Sequence, residues 1–250
     1  MKLPNIYKVV FFLFLSSVFS SCVSKKDMIY FQNDDEITNE ILKEYAPKIQ
    51  TDDLLSIMVS ALDPESSMPF NLYVGNQESA TKPISYLVDI KGMISFPELG
   101  EIKVVGMTTN ELKAFLIKKL ETYIKNPIVT IRLENFRITV LGEVKSPGSF
   151  NIASERVSVS EAIGMAGDLT IQGKRKNVLL IRNNDGKFQQ IRLDLTNKSL
   201  FESPYYYLAQ NDVLYIEPNR AKVNSSALGT TSSLISIATA ILSIVLILTR

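Results

Sequence analysis

Cys22 and the carboxylate pair Asp52 and Asp53 are the first residues of this chain whose types suggest chemistry. A lone thiol can serve as nucleophile, redox group or acylation site. Two neighbouring carboxylates suggest acid–base exchange. Adjacent residues on an extended chain point apart, however, and no basic or nucleophilic partner accompanies the pair, so a turn role is favoured. The sequence contains no His and one Cys. That excludes a Ser-His-Asp triad, a His-ligated metal site and a disulfide within the chain. Gly92, Gly142, Gly148 and Gly167 form no phosphate cradle, because no Gly-rich loop ends in Lys-Ser or Lys-Thr at the required spacing; they read as turns and caps. Tyr205, Tyr206 and Tyr207 could stack on sugar rings or pack a module or subunit interface, and packing is favoured. With 27 basic and 26 acidic residues among 250, a net charge of +1 gives no electrostatic reason to expect nucleic acid. No cofactor is expected.

The position of Cys22 sharpens its reading. Lys2 and Lys8 precede an apolar run over 9–15, small residues follow, and Cys22 stands where cleavage would occur. Basic, apolar, small is the order of a secretory signal, and the apolar part is too short for a comfortable spanning helix. Residues 1–21 resemble a bacterial lipoprotein signal, in which the cysteine takes a diacylglycerol and becomes the new N-terminus. The alternative is an ordinary signal with a coincidental cysteine. Residues 22–47 are polar, with Asp34, Asp35 and Glu36, and read as a tether.

At the other end, residues 223–249 carry no charge. A helix over 231–249 would be about 28 Å long, close to a hydrocarbon core. Ser232, Ser236, Thr239 and Ser243 follow one another at helical spacing and share one face. Two arrangements fit that stripe. A ring of such helices would turn the hydroxyls toward a water-filled lumen; a lone anchor would pack them against a partner helix.

The elements between these ends are short. Strands are expected over 54–59, 86–90 and 128–133. Thr108 and Glu111 form a capping-box pattern. Leu112, Phe115, Leu116, Leu120, Tyr123 and Ile124 then recur with helical period until Asn126 and Pro127 stop the helix. A second unit begins near Phe136. It comprises a strand over 137–144 and a turn at Ser146, Pro147 and Gly148. A second capping box over 158–161 opens a short helix closed at Gly167. A hairpin of 178–181 and 188–193 follows around 183–186, and a last strand over 213–216 is ended by Pro218. The fold class is α+β: two small α/β modules over 48–134 and 135–218, a linker over 219–230, and one C-terminal transmembrane α-helix over 231–249.

The ordered motifs resemble the polysaccharide export protein family, outer-membrane lipoproteins of capsule and exopolysaccharide secretion. Its export domain is matched by the opening Ile49-Gln50-Thr51-Asp52-Asp53-Leu54, in which Asp53 is the family Asp and Asp52 stands where Gly is usual. Asp tolerates left-handed backbone, so the turn can survive. Lys91-Gly92, Phe96-Pro97, Gly106-Met107-Thr108 and Asn126-Pro127 follow in the family order. The second unit resembles the soluble-ligand-binding β-grasp (SLBB) module, through Gly142, Glu143, Val144, Pro147, Gly148, Gly167, Arg182 and Asp212.

The resemblance implies two periplasmic modules of a non-enzymatic homo-oligomeric ring, with about eight copies by family analogy. It implies lipidation at Cys22 and a pore lined by Ser232, Ser236, Thr239 and Ser243. The implied partners are the exported polysaccharide, membrane lipids and an inner-membrane co-polymerase that regulates chain length. One β-grasp module is present where larger relatives carry more. Two other classes stay open on the residues alone. One is a scaffold lipoprotein that conducts nothing; the other is a glycan hydrolase using two carboxylates, for which no pair stands out.

Overall fold

The structure, a computed structural model, describes residues 25–32, 46–74, 82–184, 186–223 and residue 236. In the first module β1 (Leu54–Ser60) leads through the one-turn helix α1 (Pro64–Ser67) to the two-residue strands β2 (Tyr73–Val74), β3 (Lys82–Pro83) and β4 (Tyr86–Leu87). The hairpin β5 (Met93–Phe96) and β6 (Gly100–Lys103), helix α2 (Thr109–Leu120) and β7 (Ile128–Leu133) complete it. β1 is the centre of an antiparallel sheet ordered β4-β1-β7. Its alternation places Leu55, Ile57 and Val59 inward, facing Val129 and Ile131 of β7 and the α2 stripe Leu112, Leu116 and Leu120. Each such side chain contributes about 1.5–3 kcal/mol over an exposed one.

The second module opens with β8 (Arg137–Gly142), β9 (Gly148–Asn151), β10 (Val157–Ser158) and helix α3 (Val159–Met165). It continues with β11 (Gly173–Asn184), β12 (Lys187–Leu193), β13 (Tyr207–Leu208) and β14 (Val213–Pro218). Five of these strands form one sheet ordered β12-β11-β14-β8-β9. The β14–β8 pair is parallel and the others antiparallel, so the sheet is mixed. Val159, Ala162, Ile163 and Ala166 carry α3 onto a core with Ile138, Val140, Leu180, Leu214 and Ile216.

Both capping boxes form, with Thr108 and Glu111 reciprocally bonded, and likewise Ser158 and Glu161. Other elements depart from expectation. The strand expected over 86–90 stops at Leu87, because the Asp89 carboxylate accepts the amides of Lys91 and Met93 and folds the chain into a turn. α2 ends at Leu120 rather than at Asn126. The amides of Tyr123 and Ile124 both donate to the Leu120 carbonyl, so Ile124 is buried by a tightened turn and Tyr123 stays exposed. β8 ends at Gly142 and Val144 makes a separate bridge to Leu169. Gly148 opens β9 opposite Val140 instead of closing the turn.

The segment expected as a tether is docked over part of its length. After a 3-10 turn at Lys25–Asp27, the amides of Phe31 and Gln32 donate to the carbonyls of Leu195 and Thr196 in the second module. Among the described residues no helix is long and apolar enough to cross a membrane. Residues 1–21, Cys22, Ser232, Thr239 and Ser243 lie outside the described residues. Of the expected span only Ser236 is described, in helical backbone and exposed.

Candidate functional site

The Asp52–Asp53 turn starts the first sheet. Asp52 takes φ 66°, the left-handed region where Gly is commoner, and its amide donates to the Val88 carbonyl. Asp53 is buried, and its Oδ2 accepts the Gln50 amide at 2.8 Å. Burial pushes its carboxyl up to about 6; the Gln50 amide opposes that shift and the Asp52 charge adds to it. Asp53 Oδ1 has no hydrogen-bond partner. The two carboxylates therefore do different work, one turning the chain and one filling the turn, and they do not converge as an acid–base pair.

This turn also meets the second module. The Leu54 amide donates to Asn135 Oδ1 at 2.9 Å, and Asn135 Nδ2 donates to the Asp52 carbonyl at 2.8 Å. On the other side Gln210 Nε2 donates to the Asn135 carbonyl at 2.7 Å, while Gln210 Oε1 accepts the Arg137 amide at 2.8 Å. Leu133 packs against both cores. One short stretch, 133–137, thus rivets module to module through side-chain amides.

The family motifs fall at sites where backbones crowd. Gly92, at φ 78°, accepts the amides of Val104 and Val105, and a Cβ there would lie 2.2 Å from Val105 Cγ1. Gly142, at φ 92°, lies against β14, and a Cβ would stand 2.0 Å from the Ile216 carbonyl oxygen, which no other residue permits. Pro97 opens the β5–β6 turn, Gly106 donates to the Ile49 carbonyl, and buried Pro127 precedes β7. Pro147 is exposed and Gly167 caps α3. Glu143 accepts the Thr170 hydroxyl at 2.8 Å.

Asp212 is fully buried, gripped by Arg182 through Nε at 3.0 Å and Nη2 at 2.7 Å, with the Ala209 amide at 2.7 Å. Burial pushes its carboxyl up, against the pull of Arg182. The Arg182 guanidinium also lies 5.5 Å from the Tyr205 ring centre. Tyr207 faces Arg156 at 4.9 Å, and Tyr206 sits edge-on between Phe201 and Tyr207. All three tyrosines are half-buried, and Tyr205 and Tyr206 pack on the second core. Sequence reasoning missed Asn135 and Gln210, whose partners are more than 70 residues away, and it named Arg182 and Asp212 without pairing them.

A groove of about 900 Å³ runs between the β5–β6 hairpin and α2, lined by Glu98, Lys103, Phe115, Lys118, Lys119 and Tyr123. Its charges are mixed, and Lys119 covers one face of Phe115 at 5.7 Å. Among the described residues no three carboxylates or thiols gather into a metal-holding group.

The fold and these contacts define a two-module α+β protein whose polar side chains serve turns, caps and a module junction. Comparison with known proteins shows what each module is similar to. The profile described as polysaccharide biosynthesis/export protein matches residues 42–134, and that of the SLBB domain matches residues 137–191. Two relatives are each named "EPS I polysaccharide export outer membrane protein EpsA". That from Ralstonia solanacearum is 29% identical over 192 residues, covering 72% of this chain and 50% of its own. That from Ralstonia nicotianae is 33% identical over 146 residues, covering 54% and 38%. Residues 42–134 thus carry the polysaccharide export domain and residues 137–191 an SLBB domain. Its match spans half or less of the length of these curated relatives.

Proposed function

We propose that this chain is a subunit of a ring-shaped channel in the bacterial outer membrane that exports capsular or exopolysaccharide from the periplasm to the cell surface. The observation that carries the reading is the order of its two modules, export domain then SLBB domain, in a chain similar to relatives named as outer-membrane polysaccharide export proteins. The export-domain match and the similarity to a polysaccharide export protein support an export role and not an enzymatic one.

The mechanism is geometric. Identical subunits repeat head to tail until a ring closes. Cys22, acylated, holds each copy to the membrane, since every buried CH₂ contributes about 0.8 kcal/mol. The two modules wall a periplasmic vestibule that meets an inner-membrane co-polymerase. Helices over 231–249 complete the pore, satisfying their backbone internally and turning Ser232, Ser236, Thr239 and Ser243 toward water. Deleting 231–250 is expected to leave both modules folded while surface polysaccharide is lost. A deletion strain that still displays surface polysaccharide at the parental level would sink the reading.

A further inference from the structure

Both ends of the described second module converge on one loop, residues 166–172. From the N-terminal side, Tyr30 donates its hydroxyl to Asp168 Oδ1 at 2.5 Å and lies 5.3 Å from the Arg175 guanidinium. From the C-terminal side, the Asn219 amide donates to the Gln172 carbonyl at 2.7 Å. Lys222 reaches Glu143 at 3.7 Å, and Glu143 holds Thr170. The Lys145 amide joins the same loop through the Asp168 carbonyl at 3.1 Å.

This loop and the two segments bonded to it expose apolar side chains. Ile171 of the loop is 68% exposed, Ile29 beside the loop-bonded Tyr30 is 44% exposed, and Val223, whose amide donates to the Asn219 carbonyl, is 53% exposed. Lys145, whose amide bonds the loop, and Arg220 and Lys222 of the C-terminal segment are exposed as well. Two carboxylates here are already engaged, Asp168 by Tyr30 and Glu143 by Thr170 and Lys222. Exposed apolar side chains together with exposed cations suit an interface between acyl chains and anionic headgroups.

We propose that this face of the second module rests on a lipid surface bearing anionic headgroups, with Ile171 entering the acyl boundary and Lys145, Arg220 and Lys222 meeting phosphates. The inference rests on the anchoring described under Proposed function. Cys22 precedes Lys25 by three residues, a reach of about 10 Å. Residue 231 follows Val223 by eight residues, at most about 28 Å. A chain anchored at both ends therefore holds loop 166–172 at the bilayer from two sides and prevents the module from tumbling. The β11–β12 hairpin points the other way. Its tip, with Asn183 and Gly186, borders a recess shared with Lys48, Thr51 and Gly106 of the first module.

The test uses the full chain with its native lipid, reconstituted into phosphatidylethanolamine–phosphatidylglycerol vesicles with brominated acyl chains. Ile171→Cys and the hairpin control Phe188→Cys, 74% exposed, each carry a polarity-sensitive fluorophore. Quenching by bromine is expected to be about threefold greater at 171 than at 188. Equal quenching in protein that floats with the vesicles overturns the proposal and leaves the channel reading standing. A label at 171 shielded from both lipid and a water-soluble quencher assigns the loop to a neighbouring copy, which also overturns it. Protein that labels at Cys22 in the parent chain and fails to float overturns the anchoring and this inference together.

Discussion

Asp53 shows how one side chain ties local geometry to pH. Its carboxyl titrates at about 6 when folded, against about 4 in an unfolded chain. Between those values the folded protein holds more protons than the unfolded one, so this residue's contribution to stability falls as pH rises from about 4 to 6. Asp53→Asn keeps an acceptor for the Gln50 amide and cannot ionise. The stability of the variant relative to the parent is expected to rise across that window, by on the order of 1–2 kcal/mol, in denaturant titrations at stepped pH. A difference that stays constant with pH would refute the assignment. Gly142 makes a steric prediction instead. Gly142→Ala forces a methyl against the Ile216 carbonyl at positive φ and should cost about 2 kcal/mol or more. Gly148→Ala, where a Cβ meets nothing within 4 Å, is the matched control for the same unfolding measurement.

At the scale of elements, the second sheet is held by charges as well as by its core. Glu217 of β14 pairs with Lys174 of β11 at 2.9 Å and Arg192 of β12 at 2.6 Å, and those partners hold its carboxyl down at about 2. This cluster is partly exposed and contributes little. The Arg182–Asp212 pair differs, because it joins β11 to the turn before β14 with the carboxylate out of water. Removing the arginine alone strands a buried charge, so Arg182→Ala should cost about 3–5 kcal/mol. Replacing both partners by apolar residues of similar volume should cost much less, and a double variant as unstable as the single one would refute that account. The capping boxes and the strand alternation that located these elements are local, which is why α2, α3, β1 and β7 were legible from residue order. Asp89 was not, because an acid in an apolar run reads as an outward strand position until its carboxylate is seen to bind amides two and four residues on.

For the whole molecule, Asn135 bonds to both modules and, with Leu133, ties them together. Its side chain serves the first module, while its carbonyl accepts from Gln210 of the second. Asn135→Ala leaves each core intact and is expected to split a single calorimetric transition into two. A single transition at an unchanged midpoint would show that Leu133 packing alone couples the modules. Within the channel reading, that junction would transmit the orientation of the second module, held at a lipid surface, to the vestibule wall.

By itself the residue order determined the class of the longer strands and of the two capped helices, the turn at Asp52 and Asp53 and the family that the motifs resemble. These depend on contacts between near neighbours: caps three residues apart, side chains alternating along a strand, backbone tolerance at single positions. Only the tertiary structure decided which distant polar groups pair, since Asn135 with Gln210, Arg182 with Asp212 and Tyr30 with Asp168 are separated by 75, 30 and 138 residues. No local spacing encodes such pairs. They arise because buried donors and acceptors must find partners once water is excluded, and the folded chain alone determines which ones are within reach.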